Sequence, residues 1–313
     1  MSARFPDWIR RPWASGQDFT FTKDLIADLK LHTVCQSARC PNMAECWQKR
    51  TATLMILGNT CTRNCRYCSV PSGKPEPVEA DEPARVAEAI RRMQLKHAVI
   101  TAVTRDDLPD GGAAHIAETV RAVRSVNPNT TIEVLAPDFL GDRAAVETVL
   151  AAQPEVFAHN IETVERLYPT VRGKRCTYRT ALGVLTMVAE WTSSRNTLDG
   201  NSLDGRALVP ERRPIVKSAF MVGHGETEDE VRQTLHDLLD AGCEAVCIGQ
   251  YLRPTLKQRE VDGFVTPEKF KEFEEYAYGI GFAFAVAGPF VRSSYRSEEL
   301  MEIEWAKNRV QPV

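Results

Sequence analysis

The 313-residue chain combines 43% hydrophobic with 26% charged residues, which is typical of a protein that has both a buried core and a polar surface. Its net charge of −3 and pI of about 6.1 provide no broad basic field for nucleic acid or anionic lipid. The sequence contains neither an apolar run long enough for a membrane helix nor a secretory signal, so we expect a cytoplasmic protein that binds no membrane.

The predicted elements divide into an N-terminal extension and a long alternating region. Residues 1–50 form the extension, in which apolar spacing predicts one helix over Thr22–Lys30. After residue 50, short apolar runs predict strands at Thr53–Leu57, Ala98–Val103, Thr131–Leu135, Glu155–Ala158, Ile215–Met221 and Ala245–Gly249. Amphipathic segments predict helices over residues 81–96, 113–126, 141–151, 177–191, 226–241 and 266–279.

Six strand–helix alternations indicate parallel βαβ units with right-handed crossovers. Periodicity alone fits an open doubly wound sheet as well as a partial barrel, and both place functional residues at the carboxyl ends of the strands. Residues 192–214 interrupt the alternation with two similar turn-rich runs, Asn196-Thr-Leu-Asp-Gly200 and Asn201-Ser-Leu-Asp-Gly205. We expect a surface insertion there.

The cysteines indicate metal binding rather than disulfide bonds. Six of the nine cysteines lie within residues 35–68, and an odd number without a secretory signal argues against a disulfide framework. Directly after the first predicted strand comes Cys61-Thr-Arg-Asn-Cys65-Arg-Tyr-Cys68. Three thiolates on one loop can bind three corners of a four-iron cluster. A zinc site would need a fourth ligand nearby, yet the next histidine is His97.

A second set of three cysteines lies upstream, in Cys35-Gln-Ser-Ala-Arg-Cys40-Pro-Asn-Met-Ala-Glu-Cys46. It supplies three soft ligands for a further cluster. From chemistry alone this cluster could relay electrons, bind substrate, supply sulfur or stabilise the fold.

Several motifs in chain order resemble one family. The Cys61–Cys68 loop, with an aromatic residue before its last cysteine, is similar to that of the radical S-adenosylmethionine (SAM) superfamily. Within it, the chain resembles the lipoyl synthases in the Cys35–Trp47 segment, Met55–Cys65, Arg105-Asp-Asp-Leu-Pro-Asp-Gly-Gly112, His159-Asn-Ile-Glu-Thr163, Gln250-Tyr-Leu-Arg-Pro254 and Gly288-Pro-Phe-Val-Arg-Ser-Ser-Tyr295. Residues 192–214 and Gln258, where the family commonly has histidine, depart from the pattern.

The resemblance implies an α/β fold, namely a partial (β/α)6 barrel of the radical SAM type with N- and C-terminal extensions that close its mouth. Residues 1–50 would carry the auxiliary-cluster cysteines, residues 51–282 would form the barrel, and residues 283–313 would carry the Arg-Ser-Ser-Tyr motif. The resemblance further implies that Cys61, Cys65 and Cys68 bind the radical SAM [4Fe–4S] cluster, and that Cys35, Cys40, Cys46 and Ser294 bind an auxiliary [4Fe–4S] cluster.

Two further residues are candidate SAM contacts. Tyr67 precedes the last cysteine of the loop, where its ring or backbone could lie beside the adenine, although loop packing would also explain it. Asn160 follows the fourth predicted strand, where it could bind the ribose or only form a turn.

The resemblance implies a sulfurtransferase of lipoate biosynthesis that inserts sulfur at C6 and C8 of a protein-bound octanoyl group and consumes two SAM molecules. The implied partners are the octanoylated carrier domains of 2-oxoacid dehydrogenase E2 subunits and of the glycine cleavage H protein, together with a reductant protein. The alternatives are another radical SAM sulfur-inserting enzyme and a non-catalytic iron–sulfur electron carrier. A tRNA-modifying enzyme would need a basic RNA-binding module, which the composition does not favour.

Overall fold

The fold is built from buried apolar strands that alternate with amphipathic helices. A computed structural model describes residues 5–11, 16–195, 213–303 and 306. Within these ranges eight strands form one sheet in chain order: β1 (His32–Thr33), β2 (Leu54–Ile56), β3 (His97–Ala102), β4 (Thr131–Leu135), β5 (Val156–Ala158), β6 (Ile215–Val222), β7 (Ala245–Gln250) and β8 (Phe284–Gly288). β1 is antiparallel to β2, and the other neighbouring strands are parallel. Because β1 and β8 are the two edges, the sheet is an open barrel.

Helices cover the outer face of the sheet. In the described ranges they are α1 (Gln17–Asp28), α2 (Val34–Ser37), α3 (Met43–Gln48), α4 (Glu82–Met93), α5 (Ala113–Val126), α6 (Arg143–Leu150), α7 (Tyr168–Val171), α8 (Tyr178–Arg195), α9 (Glu228–Asp240), α10 (Pro267–Ile280) and α11 (Ser297–Glu302). The longer helices pack in chain order, α4 on α5, α5 on α6, α6 on α8, α8 on α9 and α9 on α10. None of the described helices is both long and apolar enough to cross a bilayer.

Local sequence signals fix where these helices begin and end. Thr227 and Glu230 form a capping box at the start of α9, and the Thr266 side chain caps α10. Gly281 ends α10 with a φ of 119°, in the left-handed region that favours glycine. These short-range signals set the residue at which α9 begins and the residues at which α10 begins and ends.

The predicted α/β fold with a parallel core is confirmed. The six predicted strands correspond to β2–β7, while β1 and β8 at the edges were missed. The first helix runs over Gln17–Asp28, so it begins and ends earlier than predicted. Residues 192–195 of the predicted insertion continue α8, and residues 196–212 lie outside the described ranges.

The chain segments beyond the barrel meet across the gap between β1–β2 and β8. Thr53 donates a hydrogen bond from its hydroxyl to Ser294 Oγ at 2.9 Å, and Asn42 donates to the Phe290 carbonyl oxygen at 2.7 Å. The Tyr295 hydroxyl also lies 3.2 Å from both carboxylate oxygens of Glu45. The N-terminal segment is therefore joined to the C-terminal segment at the open side of the sheet.

A buried ion pair crosses the inside of the barrel from β6 to β4. Lys217 Nζ lies 2.9 Å from both carboxylate oxygens of Glu133, and both side chains are almost fully excluded from solvent. Burial alone would raise the pKa of Glu133, but Lys217 and the neighbouring His97 hold it below its usual value. The charged form of each group thus depends on its partner.

Replacement of Lys217 by Met should lower the free energy of unfolding by about 3–5 kcal/mol, because it leaves the Glu133 carboxylate buried without its cation. The matched control is the double variant Lys217→Met/Glu133→Gln, which removes both charges and should recover part of the loss. Chemical denaturation of the cluster-free protein, followed by circular dichroism, measures both effects. A single variant as stable as the parent protein would contradict this account of the pair.

Candidate active site

A cavity of about 530 Å³ lies at the carboxyl ends of the central strands and extends to the gap between the sheet edges. Its walls include every residue that the sequence predicted as a cluster ligand or SAM contact: Cys35, Cys40, Cys46, Cys61, Cys65, Cys68, Tyr67, Asn160 and Ser294. The two cysteine sets are separate in the chain but border one space. Their roles as ligands remain predictions.

The Cys61–Cys68 loop folds back on itself directly after β2. The Cys61 amide donates to the Pro71 carbonyl oxygen at 2.8 Å, and the Cys68 amide donates to the Cys65 carbonyl oxygen at 3.1 Å. Burial raises the pKa of Cys68 to about 11, with further contributions from Glu162 and Cys61. In the cluster-free protein the Cys68 thiol is therefore protonated at neutral pH.

The upstream set is carried by two short helices and the turn between them. Cys35 lies on α2 and Cys46 on α3, and the Cys40 amide donates to the Cys35 carbonyl oxygen at 2.9 Å. Burial raises the pKa of Cys35 to about 11 and that of Cys46 to about 12. The neighbouring Cys40 contributes to both rises in pKa.

The donor sets fit iron–sulfur clusters better than single metal ions. Across the described ranges, no three His, Cys, Asp or Glu side chains converge closely enough to hold one ion. In a four-iron cluster each thiolate binds its own iron, so the sulfurs need not converge on a point. Each of the two cysteine sets places three thiols around the cavity, and this arrangement satisfies that requirement. Cluster binding would displace the protons that burial favours.

Ser294 lies on the same wall as the upstream cysteines. Its Oγ accepts the hydrogen bond from Thr53, which precedes β2, and both residues line the cavity. Thr53 is buried, whereas Ser294 is partly exposed. The contact fixes the Ser294 side chain on the cavity wall that carries Cys35 and Cys46.

Asn160 and Tyr67 belong to a partly buried polar network that also lines the cavity. Asn160 Nδ2 lies 3.4 Å from Ser293 Oγ, and Asn160 Oδ1 is buried without a hydrogen-bond partner among the described residues. Arg172 donates to the Tyr67 hydroxyl at 3.1 Å. Burial raises the pKa of Glu162, although Arg172, Asn160 and Tyr67 act in the opposite direction. Asn160 thus offers an unused acceptor to a polar ligand.

Sequence reasoning missed two members of this network, Glu162 and Arg172. Glu162 stands in the quoted His159–Thr163 motif, so its position after β5 could have identified it. Arg172 follows α7 and belongs to no motif, so no signal in the sequence distinguished it. A third missed feature is Cys176, which is buried and accepts a hydrogen bond from Arg63 at 3.0 Å.

Arg63 anchors the cysteine loop to the ends of two strands. Its guanidinium donates two hydrogen bonds of 2.8 Å to Asp106, after β3, and two of 2.6 Å to Asp138, after β4. Only 4% of the Arg63 side chain is exposed to solvent. Burial alone would raise the pKa of Asp138, but Arg63 lowers it to about 2. A planar, five-donor group is suited to two such bidentate pairs.

Comparison with known proteins agrees with this geometry. The family model described as the radical SAM superfamily matches residues 55–199. The lipoyl synthase of Caldanaerobacter subterraneus subsp. tengcongensis is 48% identical over 95% of this chain and 97% of that protein. The lipoyl synthase of Thermus thermophilus is 46% identical over 94% of this chain and 86% of that protein. The chain belongs to the lipoyl synthase family.

A solved structure supports the fold at lower similarity. The FeFe-hydrogenase maturase HydG from Carboxydothermus hydrogenoformans superimposes with a TM-score of 0.52, at 14% identity over 94% of this chain and 74% of that one. This likeness concerns the fold alone. Together with the family membership, it confirms the predicted radical SAM fold and enzyme class. The radical SAM match implies one [4Fe–4S] cluster and SAM, and the electron-carrier alternative is not supported.

Replacement of Arg63 by Lys should make the loop cluster about tenfold more labile, since lysine keeps the charge but cannot form two bidentate pairs. Iron release to a chelator, measured by absorbance under anaerobic conditions, tests this expectation. Arg66→Lys is the matched control on the same loop, because Arg66 is exposed and its side chain has no ion-pair partner among the described residues. Equal rates of release in the two variants would show that Arg63 does not hold the loop.

Proposed function

We propose that this chain inserts two sulfur atoms, at C6 and C8, into an octanoyl group that is amide-linked to a lysine of a carrier protein, and thereby forms the lipoyl group. The supporting observation is the presence of two cysteine triads on one cavity in a member of the lipoyl synthase family. A radical SAM enzyme that only starts a radical reaction needs one cluster. The second triad therefore needs a role of its own, and membership of the lipoyl synthase family favours sulfur supply over electron relay or a structural role.

In this proposal the ligands of the radical SAM cluster are Cys61, Cys65 and Cys68, and those of the auxiliary cluster are Cys35, Cys40, Cys46 and Ser294. When bound, the clusters and SAM supply the electron, the means of hydrogen abstraction and the sulfur. Two SAM molecules would be consumed for each lipoyl group. An oxygen ligand suits a site that must release sulfur, since oxygen binds iron in such a cluster less strongly than thiolate does.

The protein's own contribution is positioning and the exclusion of water. The Thr53 hydroxyl holds its proton toward Ser294 Oγ and so orients that oxygen on the cavity wall. The free Oδ1 of Asn160 and the ring of Tyr67 are available to a SAM molecule in the cavity. Apolar side chains that line the same cavity, Met55, Leu135 and Met221 among them, would surround the octanoyl chain.

The proposed partners are octanoylated carrier domains, those of 2-oxoacid dehydrogenase E2 subunits and of the glycine cleavage H protein, and a reductant protein. We propose the division already expected from the sequence, with residues 1–50 and 283–313 flanking a barrel over 51–282. In that division both flanking segments contribute to the auxiliary site. The hydrogen bond from Asn42 to the Phe290 carbonyl oxygen and the contact of the Tyr295 hydroxyl with Glu45 join the two flanking segments and support this joint contribution.

Anaerobic incubation of the reconstituted protein with SAM, dithionite and an octanoylated carrier domain should yield the mass gain of two sulfur atoms on the carrier. Mass spectrometry of the carrier and chromatography of released deoxyadenosine measure the outcome. Deoxyadenosine release without sulfur on the octanoyl group would contradict the proposed function.

Cysteine variants assign the two roles. The variant with Ala at Cys35, Cys40 and Cys46 should release deoxyadenosine but insert no sulfur, whereas the variant with Ala at Cys61, Cys65 and Cys68 should do neither. Cys243→Ala is the control, because Cys243 is buried in the core and does not line the cavity. Lipoyl product from the first triple variant, without another sulfur source, would show that the auxiliary site is not the donor.

A further inference from the structure

Three segments at the edge of the cavity carry an unusual charge. Residues 36–40, 64–69 and 253–259 contain five Arg or Lys and no Asp or Glu, although the whole chain has a net charge of −3. The cations are Arg39, Arg66, Arg253, Lys257 and Arg259. We call these three segments the basic rim.

Direct contacts hold the basic rim together as one surface. Ser69 Oγ lies 2.5 Å from the Ser37 carbonyl oxygen, which joins the first two segments. Gln258 Nε2 donates to the Cys68 carbonyl oxygen at 3.1 Å. The Arg259 amide donates to the Arg66 carbonyl oxygen at 2.8 Å, so the third segment is joined to the second at two points.

Three cations of the rim are not used inside the protein. Arg39, Arg66 and Lys257 are exposed, and their side chains form no ion pair or hydrogen bond with the described residues. Arg253 differs, since it pairs with Glu260 at 3.3 Å and donates to carbonyl oxygens of its own segment. Arg172 and Arg292 also line the cavity and can supply positive charge inside it. Arg39, Arg66 and Lys257 are therefore available to a partner at the edge of the cavity.

An exposed apolar side chain lies among these cations. Leu256 is 86% exposed and directly precedes Lys257. An apolar contact surrounded by charged residues is the usual anatomy of a protein-binding surface. The rim also borders the cavity that would receive the octanoyl chain, since Arg39, Cys68 and Arg253 line it.

We propose that the basic rim docks an acidic surface of the carrier protein, next to its octanoyl-lysine, with Leu256 as the apolar contact and Arg39, Arg66 and Lys257 as the cations. This inference rests on the proposed function, because a protein-bound substrate must approach the cavity edge. Complementary charge steers such an encounter and fixes the orientation in which the lysine arm enters. Exposed cations act in this way mainly at low ionic strength.

The test is the affinity of the loaded enzyme for a fluorescently labelled octanoylated carrier domain, measured by anisotropy. Lys257→Glu and Arg66→Glu should each weaken binding about threefold to tenfold at low salt, and the difference should shrink in high salt. A short uncharged peptide with the same octanoyl-lysine should bind all variants equally. Arg121→Glu is the control, since Arg121 is exposed on α5 and has no ion-pair partner among the described residues.

Equal affinity of the parent and reversed variants for the domain would overturn the docking surface, as would an equal loss for domain and peptide. Lipoyl formation is then followed with dithionite as electron source, and again with a protein reductant. A defect seen only with the protein reductant would assign the rim to the electron donor and overturn the proposal. Anisotropy measures binding without turnover, so it tests the docking surface separately from the proposed function. Charge-dependent binding without lipoyl product would contradict the proposed function but support the docking surface.

Discussion

The hydrogen bonds across the open side of the barrel hold the rest of the site in place. β1 and β8 do not pair, so the sheet alone leaves a gap between its edges. Thr53 bonds to Ser294 across this gap at 2.9 Å, and Asn42 bonds to the Phe290 carbonyl oxygen at 2.7 Å. These contacts make the segments at the two ends of the chain a common wall of the cavity.

The cysteine thiols of that cavity are protonated in the cluster-free protein. Burial raises the pKa of Cys35, Cys46 and Cys68, so deprotonation of these thiols needs a compensating positive charge. Bound iron would provide that charge, and cluster assembly would then release protons and be coupled to the stability of the fold. Arg292 lines the same cavity, and its pKa is lowered by burial, although the nearby Cys40 acts in the opposite direction. The cysteine thiols and the nearby arginine therefore suit an iron–sulfur cluster, in agreement with the family to which the chain belongs.

The parallel core was predictable because its signals are local. Each of β2–β7 is a short buried run, and capping residues such as Thr227 and Thr266 mark the helices that follow strands. β1 and β8 were missed because two residues in one, and small residues in the other, give no periodic pattern. The cysteine spacing predicted two metal-binding segments, and the structure brings both of them to one cavity. Contacts such as Arg63 with Asp138, 75 positions apart, depend on the tertiary fold and leave no trace in spacing.

We propose that two clusters occupy one cavity and that residues from both ends of the chain hold one of them. An anomalous-scattering map at the iron edge, from crystals of the reconstituted protein, tests this claim most directly. The account predicts two iron peaks within the cavity, one bounded by Cys61, Cys65 and Cys68. The other peak should be bounded by Cys35, Cys40, Cys46 and the Ser294 oxygen. A single peak, or a second peak remote from Ser294, would contradict it.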